Sequence, residues 1–173
     1  MKAIRLLLVS VFVLCVSTTN VVANSVTDET YPEAQAEVIE TFLAIRQSII
    51  DGAGLGADSE YMDRLISFHA YGPKFTEFND GALWNSAENE EHERTLFGEI
   101  VDPGGVETFW FQPETLNVAV YYGNVANLTF ISDFELWIGG ELVTVENLIT
   151  LLFVKTKGKW KMVHEHHSPV SDD

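Results

Sequence analysis

Cysteine occurs once in this chain, at Cys15, and positive charge is scarce: ten lysines and arginines stand against 26 aspartates and glutamates. The lone cysteine excludes a disulfide framework and a thiolate metal cage. The formal charge of −16 near neutral pH opposes binding to nucleic acid or to an anionic lipid surface. Long apolar runs are missing too. The longest, Leu6 to Val16, falls short of the ~20 residues of a membrane span. No phosphate loop, dinucleotide fingerprint or nucleophile elbow occurs, so an enzymatic reading would be cofactor-independent, and no cofactor is expected.

What is present begins with an export signal. Lys2 and Arg5 precede the apolar stretch, and Val21-Val22-Ala23 ends in small residues of the kind a signal peptidase reads. Residues 1–23 are therefore expected to be a signal peptide cleaved after Ala23, and the mature protein to be secreted or periplasmic with no remaining membrane contact. Leu14 before Cys15 is bulky where lipoprotein signals carry a small residue, which argues against a lipid anchor. Without Lys2 and Arg5, eight basic residues face 26 acidic ones, and the formal charge becomes −18. Four of the eight, Lys155, Lys157, Lys159 and Lys161, surround one turn, as on a solvated hairpin tip.

Residues 24–30 form a polar, flexible leader, and 31–173 read as one domain, a normal size for a single core. Thr30, Pro32 and Glu33 suggest a capping box. Val38, Phe42, Ile45 and Ile49, spaced by four, three and four, draw one apolar stripe on a first helix ending at Gly52. The glycine-rich 52–57 reads as a flexible loop, and Asp58 or Ser59 caps a second short helix. Phe75 to Phe78 is a short strand, Asn79-Asp80-Gly81 a turn, and 88–97 a third, polar helix on the surface. From Gly105 onward, turn signals at Gln112-Pro113, Gly123-Asn124, Gly139-Gly140 and Lys157-Gly158 divide the chain into four or five strands joined as hairpins. Helices followed by consecutive strands indicate an α+β domain with helices on one face of a curved sheet.

Phe68-His69-Ala70 before the short strand resembles the SnoaL-like branch of the nuclear transport factor 2-like superfamily. So does the closing hairpin, with Thr150, Lys155, Gly158, Trp160-Lys161, Val163-His164, His166 and Ser168. The resemblance runs from Pro32 to Pro169. It implies a cone in which N-terminal helices pack on a strongly curved antiparallel sheet around a pocket, and a homodimer formed through the sheet. The family includes isomerases, dehydratases, cyclases and non-catalytic association domains, so the resemblance does not select a reaction.

Within that frame Glu77 aligns with the general-base aspartate of ketosteroid isomerase, and His167 with a pocket arginine of the kinase association domain. Histidine lacks the permanent charge and bidentate fork of arginine. Between Phe75 and Phe78, desolvation should raise the Glu77 pKa toward useful values; an outward strand-edge charge is the alternative. Strand alternation puts Glu165 and His167 on one face, where the carboxylate could orient the imidazole, and groups Met162, His164 and His166 on the other with Trp160. The His164-x-His166 spacing lacks a third metal ligand, and no metal is expected.

Glu77, Glu165 and His167 are thus the candidate catalytic residues. His69 and Tyr71 on the pocket rim, with Phe75, Trp84, Tyr121 and Trp137, are candidate contacts for a small apolar or aromatic molecule. Phe109, Phe111, Phe130 and Phe134 add to the aromatic supply, in core or pocket. The functional expectation is a ligand-binding domain with possible acid–base catalysis. An isomerase, dehydratase or cyclase using Glu77 and His167, and a non-catalytic dimerisation scaffold, stay open beside it; whether it is an enzyme is left undecided.

Overall fold

The computed structural model of the protein describes residues 30–170. The expected signal peptide, its cleavage point after Ala23 and residues 24–29 of the leader lie outside the described residues. Helix α1, Pro32–Gly52, buries Val38, Phe42, Ile45 and Ile49 as its spacing requires. Its N-cap is Tyr31 rather than the expected Thr30, and Tyr31 makes no side-chain cap hydrogen bond. Proline at the first turn already fixes the entry φ and has no N–H to satisfy. At Gly52, the last residue of α1, the following helix α2, Glu60–Ser67, comes so close that a Cβ would meet Met62 Cε at 2.5 Å and Tyr61 Cβ at 2.8 Å. Ser59 caps α2, its hydroxyl accepting from the Met62 N–H at 3.4 Å.

The glycine-rich loop between these helices, expected to be flexible, is fastened. Gly54 and Gly56 donate to the carbonyls of Phe97 and Gly98, both at 2.8 Å. Gly98 has no room for a Cβ, which would lie 2.8 Å from the Gly56 backbone. Those carbonyls belong to a π-turn, Leu96–Ile100, that continues α3, Ser86–Thr95. The expected third helix therefore starts two residues earlier and ends in a wider turn. Its capping box is formed by Asn85 and Glu88: Glu88 N–H donates to Asn85 Oδ1 at 3.3 Å, and Asn85 N–H to Glu88 Oε2 at 2.8 Å.

Seven strands make one mixed sheet: β1 (Thr76–Asn79), β2 (Ala82–Trp84), β3 (Val106–Phe111), β4 (Asn117–Tyr121), β5 (Val125–Ile138), β6 (Glu141–Thr156) and β7 (Lys159–Pro169). Their order is β2-β1-β7-β6-β5-β3, with β4 also on β5. Two departures from the expected antiparallel meander stand out. β1 pairs with β7 in parallel, setting Glu77 beside Glu165. β3 and β4 do not pair with each other; they share one edge of β5, β4 along residues 125–129 and β3 along 132–136. The sheet is still one open layer with helices on one side, the α+β cone. β2, unforeseen in the sequence, follows from Asp80-Gly81, whose φ values of 47° and 79° make a tight hairpin.

The inner face of the sheet meets α1 in the core. Phe42 lies between Phe111, 5.6 Å away, and Phe130, 4.9 Å away. Burying such a ring contributes about 1.5–3 kcal/mol. On β7 the pairing jumps from Leu152–His164 to Phe153–Met162, so Val163 is an extra residue, a bulge. Strict alternation would have grouped Met162 with His164. The bulge instead brings Met162 and Glu165 to the inner face and leaves His164 and His166 outside with Phe78, 5.5 and 6.0 Å from its ring. No helix of the described residues is long and apolar enough to cross a membrane.

Candidate functional site

A cavity of about 440 Å³ opens between α1, the end of α2, the π-turn and the sheet. Most of its wall is apolar: Phe42, Ile45 and Ile49 from α1 face Phe109, Phe130 and Phe134 from the sheet. One end is polar, where His69, His92, Glu93, Glu165 and His167 converge with Asn79, Asp80 and Trp84.

The backbone at that end is held by a short exchange between the α2 exit and β7. Ala70 N–H donates to the Met162 carbonyl at 2.7 Å and Met162 N–H to the Phe68 carbonyl at 2.9 Å. This places His69 against Glu165. His69 Nε2 lies 2.9 Å from Glu165 Oε1, and Nδ1 lies 3.2 Å from the Leu65 carbonyl. Both neighbours accept, so both ring nitrogens must donate, which is the protonated imidazolium. The electrostatics agree. Burial disfavours the charged ring, but the charge and hydrogen bond of Glu165, with Glu93 and the Leu65 carbonyl, carry its pKa above the ordinary value. Reciprocally, burial would raise Glu165, yet His69 and His167 hold its carboxyl well below the usual carboxylate range.

Asn89, fully buried on α3, joins the remaining groups. Its amide donates to Glu77 Oε2 at 2.6 Å and more weakly to Glu165 Oε1 at 3.4 Å, while its carbonyl accepts from the Tyr71 hydroxyl. Glu77 Oε1 accepts from Asn79 Nδ2 at 3.0 Å. Burial raises the Glu77 pKa, and the adjacent Glu165 raises it further, against the opposing effects of Asn89, His167 and Asn79. Glu77 is thus an inward, fully buried carboxyl with both oxygens engaged, one layer behind the cavity wall.

The structure brings four of the sequence-predicted residues to the cavity: His69, Trp84, Glu165 and His167. His167 Nε2 stands 3.4 Å from Glu165 Oε2. Trp84 meets the ring of His92 at 4.3 Å. Tyr71 and Phe75 sit behind: Tyr71 stacks on His69 at 4.8 Å, and Phe75 meets both rings edge-on at 5.7 and 5.0 Å. Tyr121 and Trp137 stand away from the cavity, 52% and 37% exposed. Alternation explains both placements, since Val120, Leu136 and Ile138 take the inward positions of their strands. Trp137 instead donates its indole N–H to Glu107 at 3.2 Å.

Sequence reasoning missed His92, Glu93 and Asn89, because their helix reads as polar and superficial. Yet Asn89, Glu93, Leu96 and Phe97 follow helical spacing, and the last two are apolar, which is the signal that this stripe faces inward. Glu93 lines the cavity at 8% exposure and makes no hydrogen bond among the described residues. Burial, Glu165 and Glu77 raise its pKa well above the ordinary value, with His69 opposing, which favours the neutral acid. Burial and His167 lower the His92 pKa, against Glu165, which favours its neutral imidazole. The polar end therefore sets the His69–Glu165 pair beside an acid whose pKa is raised and an imidazole whose pKa is lowered, all facing one space. Among the described residues no group of His, Cys, Asp and Glu is arranged to hold a metal ion.

The sequence profile described as the SnoaL-like domain matches residues 58–172, which takes in every strand and leaves α1 outside. No curated protein matches the chain. Among solved structures it is similar to the calmodulin-dependent kinase II hub homology domain of Chlamydomonas reinhardtii, at 20% identity over 80% of this chain and 99% of that one, TM-score 0.60. It is also similar to a nuclear transport factor 2-like protein of Salmonella enterica serovar Typhimurium, 17% identical over 81% and 94%, TM-score 0.60. A candidate dehydratase of the same superfamily from Streptomyces avermitilis is 19% identical over 79% and 95%, TM-score 0.60. At such identities the likeness establishes the fold.

Proposed function

The chain belongs to the SnoaL-like domain family, and we propose that it binds a small, mostly apolar molecule in the cavity of its cone, with the ligand's polar group set against the carboxyl–imidazole end. The observation that carries this reading is the division of one 440 Å³ space into an apolar wall and a single polar end. Such a space orients a ligand: the wall removes its hydrocarbon from water, and only one end satisfies its polar group. Val143 and Val145 line the cavity without being buried in the core, so Val143→Trp fills the space with little disturbance of the fold. N-phenylnaphthylamine, neutral at neutral pH, should bind the parent chain saturably with a rise in fluorescence, and the Val143→Trp chain about tenfold more weakly or not at all. Absence of saturable binding to the parent, or equal binding to both chains, would refute the proposal.

A second reading, acid–base catalysis without a cofactor, is favoured by the contact of His167 with Glu165 at the cavity wall. His167 would move a proton and Glu165 would orient it. Glu77, shielded by Asn89, would act on Asn89 rather than on the ligand. His167→Gln should then retain ligand binding while removing turnover; retention of turnover would sink the catalytic reading.

The proposal extends to export and assembly. Cleavage after Ala23 would release the domain, and the outer sheet face, where Phe78 and Leu148 are 46% and 49% exposed, would meet a second copy. N-terminal sequencing of secreted material that found Met1 retained, or a strict monomer in light scattering, would remove the corresponding part.

A further inference from the structure

Among the described residues, Glu93 is the one buried carboxyl at the polar end whose side chain has no hydrogen-bond partner in the protein, its oxygens opening onto the cavity. Glu77 is satisfied by Asn79 and Asn89, and Glu165 by His69, His167 and Asn89. Glu93, 8% exposed, makes no hydrogen bond among the described residues and faces the cavity instead. No side-chain oxygen among the described residues is wholly buried without a partner, so the Glu93 carboxyl is open to the cavity and free to pair with what the cavity holds.

We propose that the ligand is an apolar organic cation, an amine or quaternary ammonium on an aromatic or aliphatic body, and that Glu93 is its counter-ion. The inference rests on the cavity reading above and names the ligand class. The wall disfavours an anion: it contains Glu93, Glu165 and Asp80, its lining has no lysine or arginine among the described residues, and His69 is already paired with Glu165. The groups acting on Glu93 are Glu165 from β7, Glu77 from β1 and His69 from the α2 exit; Tyr71, His92 and His167 complete the titratable set around it. Of these, His69 distinguishes a cation site from a merely dry one. Burial disfavours the charged ring, yet the charge and hydrogen bond of Glu165 raise its pKa. The cluster already stabilises one buried cation and has one carboxyl to spare.

Two further features favour a cation over a neutral ligand of the same shape. Trp84, Phe97, Phe109 and Phe134 present rings along the wall, and ring faces attract ammonium groups. The formal charge of −16 concentrates cations around the whole molecule. In the empty cavity burial and the neighbouring carboxylates push the Glu93 pKa up, toward the protonated form. An arriving ammonium stabilises the carboxylate, the proton leaves for solvent, and an ion pair takes its place.

Titration calorimetry on the whole chain with phenylbutylamine, phenylbutanol and phenylbutyrate tests this, since the three share one skeleton and differ in head group. Near neutral pH, in two buffers of different ionisation heat, the amine should bind at least about tenfold more tightly than the alcohol, the carboxylate should bind weakest, and amine binding should release protons. Glu93→Gln should lose about tenfold in amine affinity together with the proton release, while alcohol binding stays the same. An alcohol that binds as well as the amine, or amine binding without proton release, overturns the counter-ion in the parent chain alone, whether or not the variant folds. If N-phenylnaphthylamine still binds in that case, the cavity reading survives; if neither it nor any of the three binds, both readings fall.

Discussion

The two ends of the cavity are built on opposite rules. At the apolar end Phe42 touches Phe111 and Phe130, and Phe109 stacks on Phe134 at 3.9 Å; many rings overlap and no single contact is indispensable. At the polar end each group depends on one or two specific neighbours: His69 on Glu165, Glu77 on Asn89, Asn89 on Tyr71. Dispersion and hydrophobic burial are non-directional, so the first end degrades gradually. Buried hydrogen bonds and charges are directional and costly to orphan, so the second fails stepwise.

Removing a charge from the polar end should give the largest effect. Glu165→Ala leaves a buried imidazolium without its carboxylate, and breaking such a pair costs about 3–5 kcal/mol. Urea unfolding near neutral pH measures it. The sign with pH follows from both partners. Glu165, whose pKa is depressed by folding, contributes above the ordinary carboxylate value, and its contribution fades as pH falls through the folded value. His69, whose pKa is raised, contributes fully below the ordinary imidazole value, and its contribution fades as pH rises through the folded value. The gap between parent and variant should therefore be widest between those limits and narrow on either side. A gap independent of pH would show that the pair is not ionised.

Leu128→Ala is the matching change at the apolar side. Leu128 is fully buried on β5, and deleting such a side chain costs about 2–5 kcal/mol, depending on how far the cavity collapses. Because no titrating group is involved, the loss should be constant from mildly acidic to mildly alkaline pH. A pH-dependent loss would mean that the two ends are coupled and would break the comparison.

The same contrast decides what could be read from the sequence. The apolar side was legible because hydrophobic periodicity is local: the 4-3-4 spacing of Val38, Phe42, Ile45 and Ile49 names α1's buried face, and the glycine turns name the hairpins. The polar end was legible in part: strand alternation set Glu165 and His167 on one face, and the family resemblance put Glu77 and His167 in one region. Its remaining parts follow from non-local pairing. The parallel contact that sets Glu77 beside Glu165 joins residues far apart in the chain. The bulge at Val163, which shifts Glu165 onto the face of Met162, breaks the two-residue period on which a strand is read. Glu93 and Asn89 were hidden by chemistry rather than distance, since polar residues on a helix are ordinarily on its wet side.

A smaller effect of opposite sign is expected at Glu93. Its pKa is raised by burial and by Glu165 and Glu77, so the folded chain binds a proton that the unfolded chain gives up. Stability contributed by the site is complete below the ordinary carboxylate value and declines as pH rises toward the folded one, by about 1.4 kcal/mol per unit of elevation at most. Glu93→Gln keeps the shape and removes the titration. Thermal unfolding should find it as stable as the parent in acid and more stable at neutral and alkaline pH. A variant less stable than the parent at alkaline pH would mean that the carboxylate is paired in the fold.

The smallest expected effect separates the helix from the chemistry it carries. Asn85→Ala removes the cap whose oxygen accepts from Ala87 and Glu88, at a cost of about 1 kcal/mol. The cap is exposed, and the first turn of α3 touches no wall of the cavity; Asn89, Glu93 and Phe97 lie farther along and are held by Tyr71, Glu77 and the π-turn carbonyls that bind Gly54 and Gly56. Fraying should therefore stop before Asn89. Amide exchange should accelerate at Ala87 and Glu88 and stay unchanged at Glu93 and beyond, and affinity for N-phenylnaphthylamine should not move. Faster exchange along the whole of α3 together with weaker binding would show that the polar end depends on the cap as well as on its own hydrogen bonds, and the stepwise failure assigned to that end would begin at the helix terminus.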